Sequence, residues 1–433
     1  MDSIDESGGL ANLPAAELLQ ALRVFLAPVL GQLPEQRVRE VAVLAVRGIL
    51  AAQSPLLTEM ARGGEPADAA NWAVARRFYR FVWNERFAHR QLLKGLYGIA
   101  QETVTRYAPA YLVVALDPVN FEKPYTRALE GVSTVMKSTP PGPGGEKRLT
   151  AGYPAITATV VNLPEPVITY ANWFSYQTAG FVSEPQEIDR AFRITRALFP
   201  HLLLRFVGDA GLDNQRFFQR VERLHSQFIF RVGHEDRLVD VYNARLQRWE
   251  PQEHLTELAA SVPWSHRLPV SFHHARTTRC VTVRLGWLQL RIPETHQIVW
   301  ALVIRDPDRQ RRIILLTNIP ITNAQDAETV YTEWRFRPQI EHTYRFDQEQ
   351  GLDVEDMRVR TLERMRRVFI LVLLAALFVY HIEHTWPRQA LFWLRRLGGK
   401  LGLTTDTDGP YVLLTGISSV FVTAAKVERA ISG

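Results

Sequence analysis

The chain has 433 residues, more than one hydrophobic core usually serves, so two or three structural units around a central domain are expected. Hydrophobic residues at 46% and charged residues at 22% exclude a disordered chain, and a net charge of +6 suits a polyanionic partner such as nucleic acid. The single cysteine, Cys280, excludes an intrachain disulfide framework and a Cys-rich zinc module and fits a reducing cytosol. The N-terminal MDSIDESGG is acidic and lacks an apolar core, which separates it from signal and transit peptides and points to the cytoplasm.

Residues 1–107 hold no convincing strand but show helical spacing, with Leu18, Leu19, Leu22, Phe25 and Leu26 in one pattern and Val41, Leu44, Ile49 and Leu50 in another. They are read as a helical DNA-binding domain. Within it Arg76, Arg77, Arg80 and Arg86 interleave with Trp72, Phe78, Tyr79 and Trp83, as in a helix that lies against phosphates with its other face packed inward. A solvated Arg-rich amphipathic helix has the same periodicity.

After Ala108 the pattern changes to apolar runs closed by acids. YLVVALD (111–117) and HLLLRFVGD (201–209) read as buried strands, and ITATVV (156–161) and VITY (167–170) as a hairpin between them. The Pro/Gly cluster at 139–145 predicts a surface loop, and Asp213 to Leu224 a helix. FIFRV (228–232), CVTVRLGWLQLRI (280–292), HQIVWALVIRD (296–306) and RRIILLTNI (311–319) form a β-rich stretch. In it Val281, Val283, Leu285 and Trp287 alternate with Thr282, Arg284 and Gly286, the mark of a half-exposed antiparallel sheet.

Helical patterns return from Asn323 to Trp386, followed by a short Arg/Gly-rich tail. The apolar run VFILVLLAALFVY (368–380) is shorter than the roughly 18 to 20 residues a bilayer requires, so it is read as a buried helix and no membrane partner is expected. The domain division that follows is 1–107, 108–225 for the first part of an α/β core, 226–320 for a β-rich insertion, 321–386 for the rest of the core, and 387–433 for the tail.

Three acids carry the chemistry. Asp117 and Asp209 each close a buried strand, where a side chain can meet a ligand or metal at the sheet edge. Either alone reads as a turn former or helix N-cap, and the pair gains meaning only with a third carboxylate. In YTEWRFRPQIEHTYRFDQEQGLD (331–353) a continuous helix puts Trp334, Arg337, Glu341, Arg345 and Gln348 within roughly 80° of arc, beside an apolar stripe of Phe336, Ile340 and Tyr344, whereas a helix that starts or kinks at Pro338 takes Arg337 off that face. A surface helix with Glu341 paired to Arg337 and Arg345 is the bland reading of that spacing. Asp213 is a rival to Asp209 but reads better as a helix N-cap. Converging carboxylates repel unless cations neutralise them, and hard oxygen ligands select Mg2+ or Mn2+. Two such ions roughly 3.5 to 4 Å apart serve in-line phosphoryl displacement.

WRFRPQIEHTYRFDQEQGLD (334–353) resembles the glutamate-bearing signature, Tyr-x2-Arg-x3-Glu-x6-Lys, of bacterial insertion-sequence transposases of the DDE class. Trp334 stands at the tyrosine, Arg337 at the arginine, Glu341 at the glutamate and Gln348 at the lysine. FVGDAGLDNQRFF is similar to the family's second-aspartate segment, with Ala210 where an arginine is usual, and LDPVNFEKPYTRALEGVS to its first. RRIILLTNIP resembles the stretch of the insertion that begins with a base-holding tryptophan, with Ile313 in that place. The acids lie 92 and 132 positions apart (209 − 117 and 341 − 209), the long second gap accommodating a β-rich insertion. The resemblance implies an RNase H-like core with an inserted β-rich subdomain and Asp117, Asp209 and Glu341 holding two Mg2+ or Mn2+ ions. It also implies a homodimer on the inverted repeats of a transposon in the bacterial nucleoid, cutting and joining DNA. Arg337, Arg345, Arg335, Lys123 and Trp334 are the expected DNA contacts near the acids, and Arg76, Arg77, Arg80 and Arg86 those of the N-terminal region. A catalytically inactive DNA-binding descendant and a metal-dependent nuclease without strand transfer share the same acids.

Overall fold

In the computed structural model, which describes residues 15–64, 71–124, 126, 128–137, 148–274, 277–306, 311–348, 351–399 and 409–432, the chain opens with six helices. These are α1 (Ala15–Phe25), α2 (Ala27–Leu30), α3 (Gln36–Ala52), α4 (Leu57–Gly64), α5 (Asn71–Val82) and α6 (His89–Tyr107). Their apolar residues recur at helical spacing and face inward: Leu18, Leu22, Phe25, Leu26, Ile49 and Leu50 are all buried. The expected loop at 139–145 lies outside the described residues.

A mixed sheet of twelve strands follows. Its first part comprises β1 (Tyr111–Glu122), β2 (Ser133–Met136), β3 (Leu149–Val160), β4 (Val167–Trp173), helix α7 (Glu184–Leu198), β5 (Leu203–Gly208), α8 (Gln215–Arg223) and β6 (Gln227–Arg231). β1, β3 and β4 run antiparallel in turn, whereas β5 lies parallel to β1 and β6 parallel to β5, giving the lateral order β4-β3-β1-β5-β6. Helices connect β4 to β5 and β5 to β6, as parallel neighbours require a crossover. α7 opens on Ser183, whose hydroxyl accepts from the Gln186 amide at 3.3 Å.

β7 (Leu238–Asn243), β8 (Arg248–His254), α9 (Leu255–Ser261), β9 (His266–His274), β10 (Thr277–Arg291), β11 (Ile298–Asp306) and β12 (Arg311–Thr317) extend the sheet, with β12 pairing antiparallel to β6. FIFRV, expected in the β-rich stretch, is thus β6 of the parallel part; a short apolar run carries no information about its partner strand. Then come α10 (Ala324–Trp334), α11 (Pro338–Gln348), α12 (Leu362–Thr385), α13 (Arg388–Leu397) and α14 (Pro410–Ser432).

Three differences from the sequence reading have physical causes. The continuous helix over 331–353 is broken, because Pro338 lacks an amide donor and fits the first turn of a new helix; Arg335 to Arg337 form the turn. Asp117 does not end its strand: β1 continues to Glu122, paired only with β3 beyond Ala115, and Pro118 is tolerated in that one-sided segment. The residues read as a tail form α13 and α14, which cross so closely that a Cβ on Gly416 would lie 1.9 Å from the Leu394 carbonyl oxygen.

One apolar core joins the first six helices with α12, α13 and α14 and with Phe121, Tyr153 and Trp173 of the sheet. α12, the run expected to be a buried helix, is by length and composition able to cross a membrane, but 83% of its apolar window is buried inside the protein. It is a core helix. Arg367 on α12 is buried and donates to the carbonyls of Val82, Asn84 and Phe87, fixing the turn between α5 and α6.

Candidate active site

The sheet register brings the first two acids side by side. β1 and β5 are in parallel register through Ala115 and Val207, so two residues further on Asp117 and Asp209 occupy neighbouring positions at the carboxyl end of the pair. β6 extends the row: Gly208 is opposite Phe230, and the next residues are Asp209 and Arg231. On the other side Asp117 is opposite Thr157 of β3. A row of Thr157, Asp117, Asp209 and Arg231 therefore crosses four strands.

Asp209 stands at the N-cap of a short 3-10 turn, Ala210–Leu212, but its side chain makes no capping hydrogen bond. The carboxylate instead faces Arg231 Nη1 at 3.5 Å and Arg337 Nη2 at 3.4 Å, with 41% of the side chain exposed. Gly208 is required before it, since a Cβ there would lie 2.2 Å from Leu212 Cδ1. Asp213 takes a different role from both sequence readings. It is buried and accepts from the amides of Gly233 and His234 while pairing with Arg237 at 2.6 Å, and the N-cap of α8 is Asn214.

Glu341 enters from the first turn of α11, with Arg337 Nη1 2.8 Å from its Oε1. The guanidinium of Arg337 thus bridges Glu341 and Asp209. Three further bonds seat the helix pair on the sheet: Trp334 Nε1 donates to the Gly208 carbonyl at 3.3 Å, and the Tyr344 hydroxyl donates to the Asp117 carbonyl at 2.7 Å while accepting from Thr157 Oγ1 at 2.5 Å. The expected apolar stripe packs here, with Ile340 and Tyr344 buried and Phe336 partly buried.

The electrostatics tie the three acids together. Burial pushes the Asp117 carboxyl up to about 7; the Arg337 charge opposes this, and Glu341 and Asp209 both add to it. Asp117 therefore feels both other carboxylates as well as the bridging cation. Such a donor set, all carboxylate oxygen with mutual repulsion only partly offset by Arg337, fits a hard divalent cation. Among the described residues no three His, Cys, Asp or Glu side chains already stand in ligating geometry, and Arg337 lies between Asp209 and Glu341.

The other expected contacts divide. Lys123 is buried, donating to the carbonyls of Glu355 and Met357, and burial lowers its pKa to about 8 against the raising effect of Glu355, Asp356 and Asp353. Lys123 clamps the end of β1 to the segment before α12 and does not reach out to a phosphate. Arg335 donates to the Ser271 carbonyl at 2.5 Å. Arg345 and Gln348 lie on α11, but their side chains fall outside the described residues. On α5, Arg76, Arg77 and Arg80 are exposed opposite buried Phe78 and Phe81, flanked by Trp72 and Trp83, which are 55% and 46% exposed. Arg86 is exposed and paired with Glu35.

Arg231 and the Thr157–Tyr344 brace escaped the sequence reading. The signal for Arg231 was present, a charged residue at the carboxyl end of a buried strand, the same feature that singled out Asp209. No protein-family description matches the chain, and no curated protein matches it in sequence.

Proposed function

We propose that the chain is a DNA transposase of the DDE class, with an RNase H-like core formed by β4-β3-β1-β5-β6 and a β-rich insertion from β7 to β12. The observation that carries this reading is that Asp209 and Glu341, distant in the chain, share the single guanidinium of Arg337, with Asp117 near enough to feel all three charges. Three meander strands followed by two helix-linked parallel strands, with a first acid on the first strand and a second acid after the fourth, support the same reading.

A pair of Mg2+ or Mn2+ ions held by Asp117, Asp209 and Glu341 would supply an activated water or 3′-hydroxyl and a stabilised leaving oxygen. The chain's own residues do the rest. In the free protein Arg337 offsets the repulsion between Asp209 and Glu341; on DNA its guanidinium moves to a phosphate oxygen and releases both carboxylates. Arg231 keeps Asp209 oriented during that exchange. Tyr344 and Thr157 fix the backbone at Asp117, so the carboxyl on β1 and the one on α11 keep their relative positions. Arg76, Arg77 and Arg80 contact the backbone of the terminal inverted repeats, and a homodimer in the nucleoid holds two ends together.

The test uses end-labelled duplexes from the DNA flanking the coding sequence, incubated with purified protein and Mg2+. Cleavage at a defined end, joined products with a target plasmid, and loss of both in Asp117→Ala are expected. Cleavage without joined products would convert the assignment to a nuclease; specific binding without cleavage would make it an inactive descendant.

A further inference from the structure

At the free edge of β4, between α6, α7 and the start of α12, lies a cavity of about 670 Å³. It is within the usual range for ligand pockets, and β4 is two strands from β1 on the side away from Asp209. Its lining is cationic: Arg90 and Lys94 are exposed at the mouth, and Arg366 stands inside.

The acids near these cations are already committed. Glu187, the one acid lining the cavity among the described residues, accepts from Tyr170 at 2.9 Å, Asn172 at 2.8 Å and Arg190 at 2.8 Å. Glu363 is held by His89 at 2.5 Å and by Arg367 at 3.1 Å. Arg366 spends its Nε on the Trp173 carbonyl at 2.7 Å, and among the described residues its two terminal nitrogens have no hydrogen-bond acceptor. Burial lowers its pKa, against the raising effect of the Glu363 and Glu187 charges. Phe181, half-buried and stacked on Phe174 with ring centroids 5.6 Å apart, also lines the cavity.

One deep guanidinium, two cations at the mouth and an aromatic wall match a ligand with several negative charges and a planar ring. We propose that this cavity binds a nucleotide, free or at the end of a DNA strand, with its phosphates on Arg366, Arg90 and Lys94 and its base against Phe181. The site does not depend on the chemistry at Asp117, Asp209 and Glu341.

The experiment is calorimetric titration of the full chain in EDTA with ATP and with inorganic triphosphate, together with anisotropy of a fluorescent single-stranded oligonucleotide with and without a 5′-phosphate. Saturable ATP binding between roughly micromolar and millimolar Kd is expected. Triphosphate alone should bind more weakly, and Phe181→Ala should remove that difference. Arg90→Ala/Lys94→Ala and Arg366→Gln should each weaken binding by on the order of tenfold or more, with Arg366→Lys intermediate and the thermal melt of the exposed double variant unchanged. Tighter binding of the 5′-phosphorylated oligonucleotide than of ATP identifies a strand end, and the reverse order a free nucleotide. If Arg366→Gln does not fold, the exposed double variant carries the test. No saturable binding of ATP or oligonucleotide up to about 1 mM, or affinity indifferent to the removed charges, overturns the proposal.

Discussion

Replacing Asp117 by asparagine should stabilise the protein at alkaline pH in the absence of divalent ions. The Asp117 carboxyl is pushed up to about 7 from an ordinary 3.8, chiefly by burial, so the folded chain binds its proton more tightly than the unfolded chain does. The sign is therefore that stability falls as pH rises from about 4 to about 7 and is level above that. A difference of about three pH units corresponds to about 4 kcal/mol at about 1.4 kcal/mol per unit, an upper bound for the cost of ionising Asp117 in the fold. Urea denaturation in EDTA of the wild type and Asp117→Asn, at intervals from pH 4 to pH 8, measures it. The variant should gain on the wild type across that window, by up to about 4 kcal/mol at pH 8, with the curves meeting near pH 4. Addition of Mn2+ at pH 8 should raise the wild type and leave the variant nearly unmoved. A variant less stable than the wild type at every pH, by a constant amount, would refute the reasoning, because it would mean that Asp117 is ionised and well satisfied without a metal.

Three further outcomes follow from the same geometry. Arg337→Ala removes the cation shared by Asp209 and Glu341, so its melting temperature in EDTA should drop while its gain from Mn2+ exceeds that of the wild type; an equal gain contradicts the bridge. Tyr344→Phe deletes the hydroxyl between the Asp117 carbonyl and Thr157 and should cost about 1 to 3 kcal/mol in urea denaturation, a buried acceptor being left unpaired. Arg76→Ala/Arg80→Ala, both at exposed positions of α5, should leave the melting temperature unchanged and weaken DNA binding evenly across sequences. In that variant the slope of log affinity against log salt should become shallower by about 2, and an unchanged slope means that these arginines touch no phosphate.

Much of this arrangement was legible in the chain because burial and charge leave local marks. The run ending at Asp117 is apolar throughout and the one ending at Asp209 is interrupted only by Arg205, since β1 and β5 are largely covered on both faces, and an acid there stands out. The stripe of Ile340 and Tyr344 identified the side of α11 that docks on the sheet even though the helix is shorter than its periodicity suggested. What escaped depends on partners far away in sequence. FIFRV looks like any short core strand until its pairing with β5 is known, and only that pairing sets Arg231 beside Asp209. Lys123 carries the charge of a phosphate contact, but the fold turns it inward onto the Glu355 and Met357 carbonyls. Small residues such as Gly416 and Ser418 weaken the amphipathic signal of α14; in the fold Gly416 lets α13 approach, and the Ser418 hydroxyl donates to the Ala51 carbonyl at 2.6 Å.

The most direct measurement of the central claim is a count of Mn2+ ions bound per chain by electron paramagnetic resonance, in the wild type and in Asp117→Asn, Asp209→Asn and Glu341→Gln, each shown to be folded by circular dichroism. Two ions on the wild type in the presence of DNA, with occupancy lost in every one of the three variants, is the predicted result. Binding that survives all three substitutions, or a wild type that takes up no ion, would contradict it.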